Sequence, residues 1–283
     1  MLDAQTSVAA ATTRVARQML GMQQLGPHGL SEQWLLGFCG DLHWGLIAGA
    51  LGQESLRFRT ADGRPLYAAF CATRLDLAPT GPLLGEALEI RSDLAAAGGA
   101  RLGSRHRFLH RGREIGALRM LSTFVAHDET GSNRRIVRAL PARNCALPMA
   151  EPDLMALDAR ARDTSRALRS RTVPLAGAQR IEPCHGLDFN AVGLLYFPSF
   201  TRLVETPART TAPIRVRELV YLGNLDAGAA VHVLRAGRDR VGVLEPEHGR
   251  HLNAVSIGEE GADFGKDRGS VHPDRRTSQN VRP

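Results

Sequence analysis

The polar residues best placed for chemistry stand at the start of an apolar stretch, residues 182–205, which reads EPCHGLDFNAVGLLYFPSFTRLVE. Asp188 is placed to cap a helix through its carboxylate, and Asn190 falls in the first turn. Unpaired backbone N–H groups and the positive end of the helix macrodipole collect there. The spacing therefore predicts a site that stabilises developing negative charge. The helix behind it has almost no polar face, so it should be buried, with a bend or an end at Pro198.

The other reactive side chains do not indicate a nucleophile or a metal site. Cys184 and His185 are adjacent in sequence, and adjacent residues rarely face each other, so a Cys–His nucleophile is not expected. We instead expect His185 and Gly193 to contact a substrate at the entrance. His248 and His251 lack further ligands at metal-site spacing. No metal site is predicted, and no GxSxG elbow or glycine-rich phosphate loop occurs.

A second apolar helix is predicted for residues 32–51, with Ser31 as its N-cap. Asp41 and His43 interrupt its apolar surface. Two interpretations of this pair stay open. The pair is either a hydrogen-bonded buried contact or part of a substrate-binding site.

The rest of the chain predicts strands and connections. Residues 57–127 contain four extended segments separated by Gly or Pro, which favours an antiparallel meander. Residues 131–181 are rich in charge and predict a linker, with a helix near 152–169 that is either solvated or laid across both repeats. Two more strands follow the second apolar helix. Residues 1–24 predict a leader that is a short helix or unfixed, and residues 235–283 an atypical, disorder-prone tail.

An apolar helix with a polar start, followed by strands, is typical of the hot-dog fold. The segments GLSEQWLLGFCGDLHWGLI at 29–47 and FNAVGLLYFPSF at 189–200 resemble those that open the two repeats of a biosynthetic family. That family is typified by the acyltransferase/decarboxylase of the leinamycin pathway, and the resemblance covers residues 26–234. It implies an α+β double hot-dog fold, with a first repeat at 25–130 and a second at 182–234. The weak strand signals after the second repeat leave its completeness open.

The resemblance also implies a reaction. A methylmalonyl group would pass from coenzyme A to an acyl carrier protein with decarboxylation, in polyketide or related biosynthesis. Tyr67 falls where the family carries the tyrosine that is thought to accept the acyl group. Asn190 would hold the enolate oxygen, and Asp188 would cap the helix or act as a base. Such a decarboxylation needs no metal or cofactor beyond the thioester substrate.

Two alternatives remain on the same scaffold. One is hydrolysis or dehydration of an acyl thioester, and in a thioesterase Asp188 would aim or activate a water. A non-catalytic or truncated homologue that binds an acyl carrier protein would explain the unusual C-terminal sequence. The predicted catalytic residues are thus Tyr67, Asn190 and Asp188, and the predicted substrate-binding residues are His43, Asp41, His185 and Gly193.

Composition limits the partners. The formal charge of +7 rests on 36 basic residues, which suits the phosphates of coenzyme A or an acidic carrier protein. Aromatic residues make up only 5%, without a basic stretch of stacking residues, which argues against nucleic-acid binding. The four cysteines are widely spaced and no run of about 18 apolar residues occurs, so a reducing cytoplasm is expected and a membrane span is not. A homodimer is a possible assembly.

Overall fold

The computed structural model describes residues 12–143, 145–208, 213–237 and 240–257. The helices are α1 Glu32–Ala50, α2 Pro152–Leu168, α3 His185–Asp188 and α4 Ser199–Ala208. The strands are β1 Thr13–Met19, β2 Leu25–Gly26, β3 Gly29–Leu30, β4 Phe58–Arg59, β5 Pro65–Leu77, β6 Ala87–Ala96, β7 Arg101–His110, β8 Arg113–His127, β9 Ile136–Arg138, β10 Gln179–Ile181, β11 Val216–Tyr221, β12 Val231–Arg235, β13 Arg240–Leu244 and β14 His251–Ile257.

One twelve-stranded sheet contains most of these strands, in the order β1-β6-β7-β8-β5-β11-β14-β13-β12-β10, with β4 on β5 and β9 on β8. Its centre is the antiparallel ladder between β5 and β11, which runs from the pair Asp76–Val216 to the pair Ala72–Val220. The strands on one side of this ladder pack on α1, and those on the other side pack on α4. The two predicted repeats are therefore joined edge to edge through a short ladder.

Helix α1 confirms its predicted position. The Ser31 hydroxyl accepts a hydrogen bond from the Trp34 backbone N–H at 3.3 Å, which satisfies a free donor of the first turn. Gly40 lets the other repeat approach this helix, since a Cβ here would lie 2.9 Å from the Phe197 ring. The glycines of α1 therefore lower helix propensity but permit close packing between repeats.

The first repeat confirms the four predicted extended segments as β5 to β8, and their ladders are antiparallel, but the expectation of one meander through all four is wrong. Only β6, β7 and β8 form a meander, and β5 pairs with the other edge of β8 instead of with β6. The expectation of a helix or an unfixed leader at 1–24 is wrong for Thr13–Met19, which forms β1 and pairs with β6. This strand is at the sheet edge and its side chains are mostly exposed, so its sequence lacks a clear apolar face. Residues 1–11 lie outside the described residues.

The helix expected near 152–169 is α2, and it lies across both repeats. Leu154, Leu157 and Ala161 are buried against Ala72 of β5 and Val220 of β11. Residues 131–181 are therefore not a purely solvated connection, because this helix covers the outer face of the central ladder.

The expectation of an atypical tail from residue 235 is wrong for β13 and β14, which complete the second half of the sheet. Val241, Val243 and Val255 are buried against α4. Each strand is short and β13 contains Gly242, so the sequence signal is weak although the burial is complete. Residues 258–283 lie outside the described residues.

His43 belongs to a buried chain of hydrogen bonds under α1. Its Nδ1 is bonded to Ser104 Oγ and its Nε2 to Ser122 Oγ, both at 2.7 Å. His106 continues the chain between Ser104 and Ser92, at 2.8 Å to each hydroxyl. Burial lowers the pKa of His43 and of His106 to about 3. The structure thus favours the buried-contact interpretation of His43.

These histidines predict an acid-sensitive fold. In the unfolded chain they take up protons near their ordinary pKa of 6.5, whereas in the folded chain they stay neutral until about pH 3. The unfolded state therefore binds more protons between these values, and stability falls as the pH drops through this window, by up to about 1.4 kcal/mol per pH unit for each histidine. Urea unfolding at pH 7, 6 and 5 measures the slope. His106→Gln should reduce it, and an unchanged slope in that variant would contradict the assignment.

Candidate functional site

A cavity of about 710 Å³ lies between the two repeats, where β5 and β11 separate. Their ladder ends at the pair Ala72–Val220, whereas the pairing of β11 with β14 continues to Tyr221. On β5 the register to β8 shifts between Phe70 and Ala72, so Cys71 is the extra residue of a β-bulge. The bulge and the end of the ladder together open a fork in the sheet, and this fork is the cavity.

The cavity is lined from both faces of the sheet. Leu66 and Ala68 pack towards α1, so Tyr67 between them points to the opposite, outer face. Asp41 belongs to α1, on the inner face, and it lines the same cavity as Tyr67. The cavity therefore passes through the gap between the two strands.

Tyr67 is partly buried and contacts His127 edge to face, with ring centroids 5.7 Å apart. His127 Nε2 lies 2.9 Å from Asn133 Oδ1. The Asn133 amide nitrogen already donates to the carbonyls of Gly193 and Leu225, at 2.6 and 3.0 Å, so its oxygen must accept from His127. The neutral His127 ring then carries its proton on Nε2 and keeps Nδ1 as an acceptor.

Asn190 lines the cavity from the second repeat. Its Oδ1 accepts hydrogen bonds from the backbone N–H groups of Val192 at 3.1 Å and Leu194 at 3.0 Å. Because these two donors fix the orientation of the amide, its NH₂ group is the part left to donate to a ligand. The sequence prediction of a donor at Asn190 agrees with this geometry.

The predicted helix start at Asn190 is wrong. The chain forms a turn there, with Gly193 at a φ of +78° and a bridge between Phe189 and Leu195, and α4 begins only at Ser199. An asparagine side chain that binds nearby backbone N–H groups stabilises a turn in competition with a helix. The donor at this site is therefore a side-chain amide, and no macrodipole points at it.

Asp188 is not among the residues that line the cavity, and only 1% of it is exposed. Its carboxylate accepts from the Cys184 backbone N–H at 2.7 Å and from Arg202 Nε at 2.8 Å, and a second Arg202 nitrogen completes the ion pair. These contacts tie α3 to α4. The structure places Asp188 as a support for the turn, away from the cavity that Tyr67 and Asn190 share.

Asp41 is the acidic residue of the cavity. Its carboxylate makes no hydrogen bond or ion pair within the part of the chain that the structure describes. Burial raises its pKa above the ordinary value. Burial, and then the Asp41 charge, raise the pKa of the neighbouring Tyr196 to about 12. Asp41 is solvent-exposed, so the α1 side of the cavity holds an unpaired carboxylate at its edge, beside a protonated phenol.

The other predicted substrate-binding residues lie elsewhere. His43 is in the buried hydrogen-bond chain, and Gly193 gives its carbonyl to Asn133. His185 is exposed and stacks on Phe189 at 5.6 Å. Of the four residues predicted to bind substrate, the cavity is lined by Asp41 alone.

The sequence analysis missed several groups at the site. His127 is the last residue of β8 and Asn133 lies in the turn between β8 and β9, and their roles depend on contacts with residues distant in sequence. Cys71 lines the cavity, but burial raises the pKa of its thiol to about 11, so it is protonated at neutral pH. Among the described residues, no group of three or more His, Cys, Asp or Glu side chains could hold a metal ion.

Comparison with known proteins shows the fold. No family model matches this chain, and no curated protein matches it in sequence. It is similar to the acyl-ACP thioesterase from Bacteroides thetaiotaomicron, with a TM-score of 0.59 at 12% identity over 89% of this chain and 98% of that one. The fold is a double hot-dog. Two further structures each have a TM-score of 0.59 at 12% identity. The 12:0-ACP thioesterase from Umbellularia californica aligns over 87% of this chain and 96% of its own, and a putative oleoyl thioesterase from Lactobacillus plantarum over 89% and 97%.

A double hot-dog has a second fork at the other end of its central ladder, because a half-turn about an antiparallel ladder exchanges its two ends. A cavity of about 510 Å³ lies there, lined by Glu32 and Glu205 among others. The fully buried Arg217 donates to Glu32 Oε2 at 2.8 Å and forms an ion pair with Glu205. This fork therefore holds an internal ion triad, whereas the first fork holds Tyr67 and the Asn190 amide.

No helix in the described parts of the chain combines the length and the apolar composition that crossing a membrane requires.

Proposed function

We propose that this protein is an enzyme that acts on acyl thioesters. Its reaction, in this proposal, is the decarboxylating transfer of a short malonyl-type group, methylmalonyl, from coenzyme A to an acyl carrier protein. The observation that carries the proposal is that Tyr67 and Asn190, from different repeats, line one cavity, with the Asn190 NH₂ free to donate. Structural neighbours described as acyl-ACP thioesterases are consistent with thioester chemistry on this fold.

The chemistry assigns one step to each group. The Tyr67 oxygen forms a bond to the thioester carbon, the carbon–sulfur bond breaks, and the sulfur leaves as a thiol with the tyrosine proton. The carbon–carbon bond to the free carboxylate then breaks, carbon dioxide leaves, and the electron pair remains as an enolate. Asn190 donates to the enolate oxygen. A proton from water gives the propionyl ester, and the carrier thiol displaces Tyr67, which regains its proton.

The Tyr67 hydroxyl needs a base or a positive potential to attack. The ring of His127, whose Nδ1 is an acceptor, contacts the ring of Tyr67. Arg138 lies on the same sheet face as Tyr67, because Tyr67 pairs with Val125 and Val125 pairs with Arg138. In this proposal the His127 ring takes the Tyr67 proton as the oxygen attacks. The all-free cysteines are consistent with the cytoplasmic location that we propose.

The test is an acyl adduct on the protein. Incubation with methylmalonyl-coenzyme A should add an acyl mass to the intact protein, and Tyr67→Phe should abolish the adduct while keeping the melting temperature. Tyr196→Phe is the matched control, since it removes a second cavity phenol and should keep the adduct. If the wild-type protein released labelled carbon dioxide but carried no adduct on any residue, Tyr67 would not be the acyl acceptor.

Hydrolysis of an acyl thioester is the second candidate, and Asp41 favours it. An unpaired carboxylate with a raised pKa at the edge of the cavity can take a proton from water as the water attacks the thioester carbon. Release of free acid without carbon dioxide, abolished by Asp41→Asn, would select hydrolysis over transfer. The alternative of a non-catalytic or truncated homologue was suggested by the sequence after residue 235, and β13 and β14 supply two further strands of the second repeat there.

A further inference from the structure

Positive charge surrounds the outer part of the cavity. Four arginines line it: Arg101, Arg134, Arg138 and Arg169. The acidic residue among the lining side chains is Asp41, which comes from α1 on the inner face. The cavity therefore has arginines on the outer face of the sheet and an exposed carboxylate on the α1 side.

Two of these arginines are engaged by acidic neighbours. Arg101 is paired with Asp158 at 2.5 Å, and Arg134 is paired with Glu247 at 2.8 Å. Within the described residues, Arg138 and Arg169 have no carboxylate partner. The polar contact of Arg169 is a weak one, from Nη2 to the Ser165 hydroxyl at 3.4 Å. These two guanidinium groups are thus available to an anionic ligand.

Their positions suit the entry of a ligand from the outer face. Arg138 on β9 and Tyr67 on β5 are two strands apart in one register, which is about 10 Å. Arg169 is the C-cap residue of α2, the helix that covers the outer side of the central ladder. An anion bound by these side chains would lie outside Tyr67, with the fork and Asp41 beyond it.

We propose that Arg138 and Arg169 form a subsite for the phosphate of a phosphopantetheine arm. This subsite rests on the proposed function, since the arm is the one that carries the thioester. The planar guanidinium group binds phosphate oxygens through paired N–H donors, and it stays charged at every physiological pH. The arm then runs inward through the fork, so that its thioester reaches Tyr67 and Asn190 and its acyl group lies towards Asp41.

The test compares two probes that differ only in the phosphate, 4′-phosphopantetheine and pantetheine, by titration calorimetry with the full-length protein. Wild type should bind the phosphorylated probe about tenfold more tightly or better, with a preference that weakens in salt. In the double variant Arg138→Ala/Arg169→Ala the preference should fall to near one. Arg113→Ala, an exposed arginine at the start of β8 that does not line the cavity, should keep it.

A preference that survives in the double variant would overturn the subsite. Because neither probe is turned over, this result is independent of whether the protein has the proposed activity. Coenzyme A and a phosphopantetheinylated carrier protein share the same phosphate, so both are titrated as well. In the proposed transfer both arms use the subsite in turn, so the double variant should weaken the binding of each. A loss for one partner alone would identify that partner as the source of the arm.

Discussion

Asn190→Asp is expected to lower kcat by about a hundredfold or more, the usual effect of removing one donor from a site that binds a developing oxyanion. The aspartate keeps an oxygen for the backbone N–H groups of Val192 and Leu194, so the turn is retained. What it loses is the NH₂ donor, and it places a negative charge where the thioester oxygen would become negative. Steady-state kinetics with an acyl-coenzyme A substrate measure the effect.

Asn190→Ala serves as the comparison, because it removes the acceptor and the donor together. If the turn alone mattered, the alanine variant would be impaired and the aspartate variant would be nearly as active as the wild type. That outcome would remove Asn190 from the chemistry. Melting temperatures of both variants show whether the turn has been lost.

Arg217→Met is expected to destabilise the protein by about 3–5 kcal/mol, the range for removing one partner of a buried ion pair. Arg217 is fully buried, and it holds the carboxylates of Glu32 from α1 and Glu205 from α4. Without it, these two charges face each other with nothing to offset them. Urea unfolding at pH 7 measures the loss.

The pH dependence identifies the cause of this loss. Burial raises the pKa of Glu32, Arg217 opposes this effect, and Glu205 adds to it. In the variant the folded state therefore holds the Glu32 proton more firmly than the unfolded chain does. The stability gap between variant and wild type should narrow as the pH falls towards the ordinary glutamate value of 4.5, and Glu32→Gln should partly rescue Arg217→Met. A gap that is constant with pH would mean that packing alone is lost.

Local signals explain which elements were predictable. Helix α1 has a serine N-cap and apolar residues on every turn, and the strands β5 to β8 are long and separated by Gly or Pro. By contrast, the apolar run after Asn190 looks like a buried helix, because periodicity cannot distinguish a buried helix from a buried turn. The decisive feature is that Asn190 Oδ1 binds two backbone N–H groups, which depends on the folded turn.

The site residues, like the elements of the fold, were predictable only in part. Tyr67, Asn190 and Asp41 were predicted, and they line one cavity. His127 and Asn133 were not predicted. Asn133 donates to carbonyls of the second repeat, far away in sequence, and His127 is held in place by Asn133. Strands β1 and β13 were also missed. Both are short, so their sequences contain too few residues for a clear alternation of apolar and polar side chains.

The joining of both repeats in one chain has a consequence for how the molecule can evolve. A dimer of identical subunits with this fold would carry the same side chains at both ends of its central ladder, by symmetry. Here Cys71 and Asn190 shape one end, while Arg217 and its two carboxylates fill the other. Because both repeats belong to one chain, the two ends of the ladder can carry different side chains. One end can therefore hold reactive groups while the other holds an ion triad that stabilises the fold.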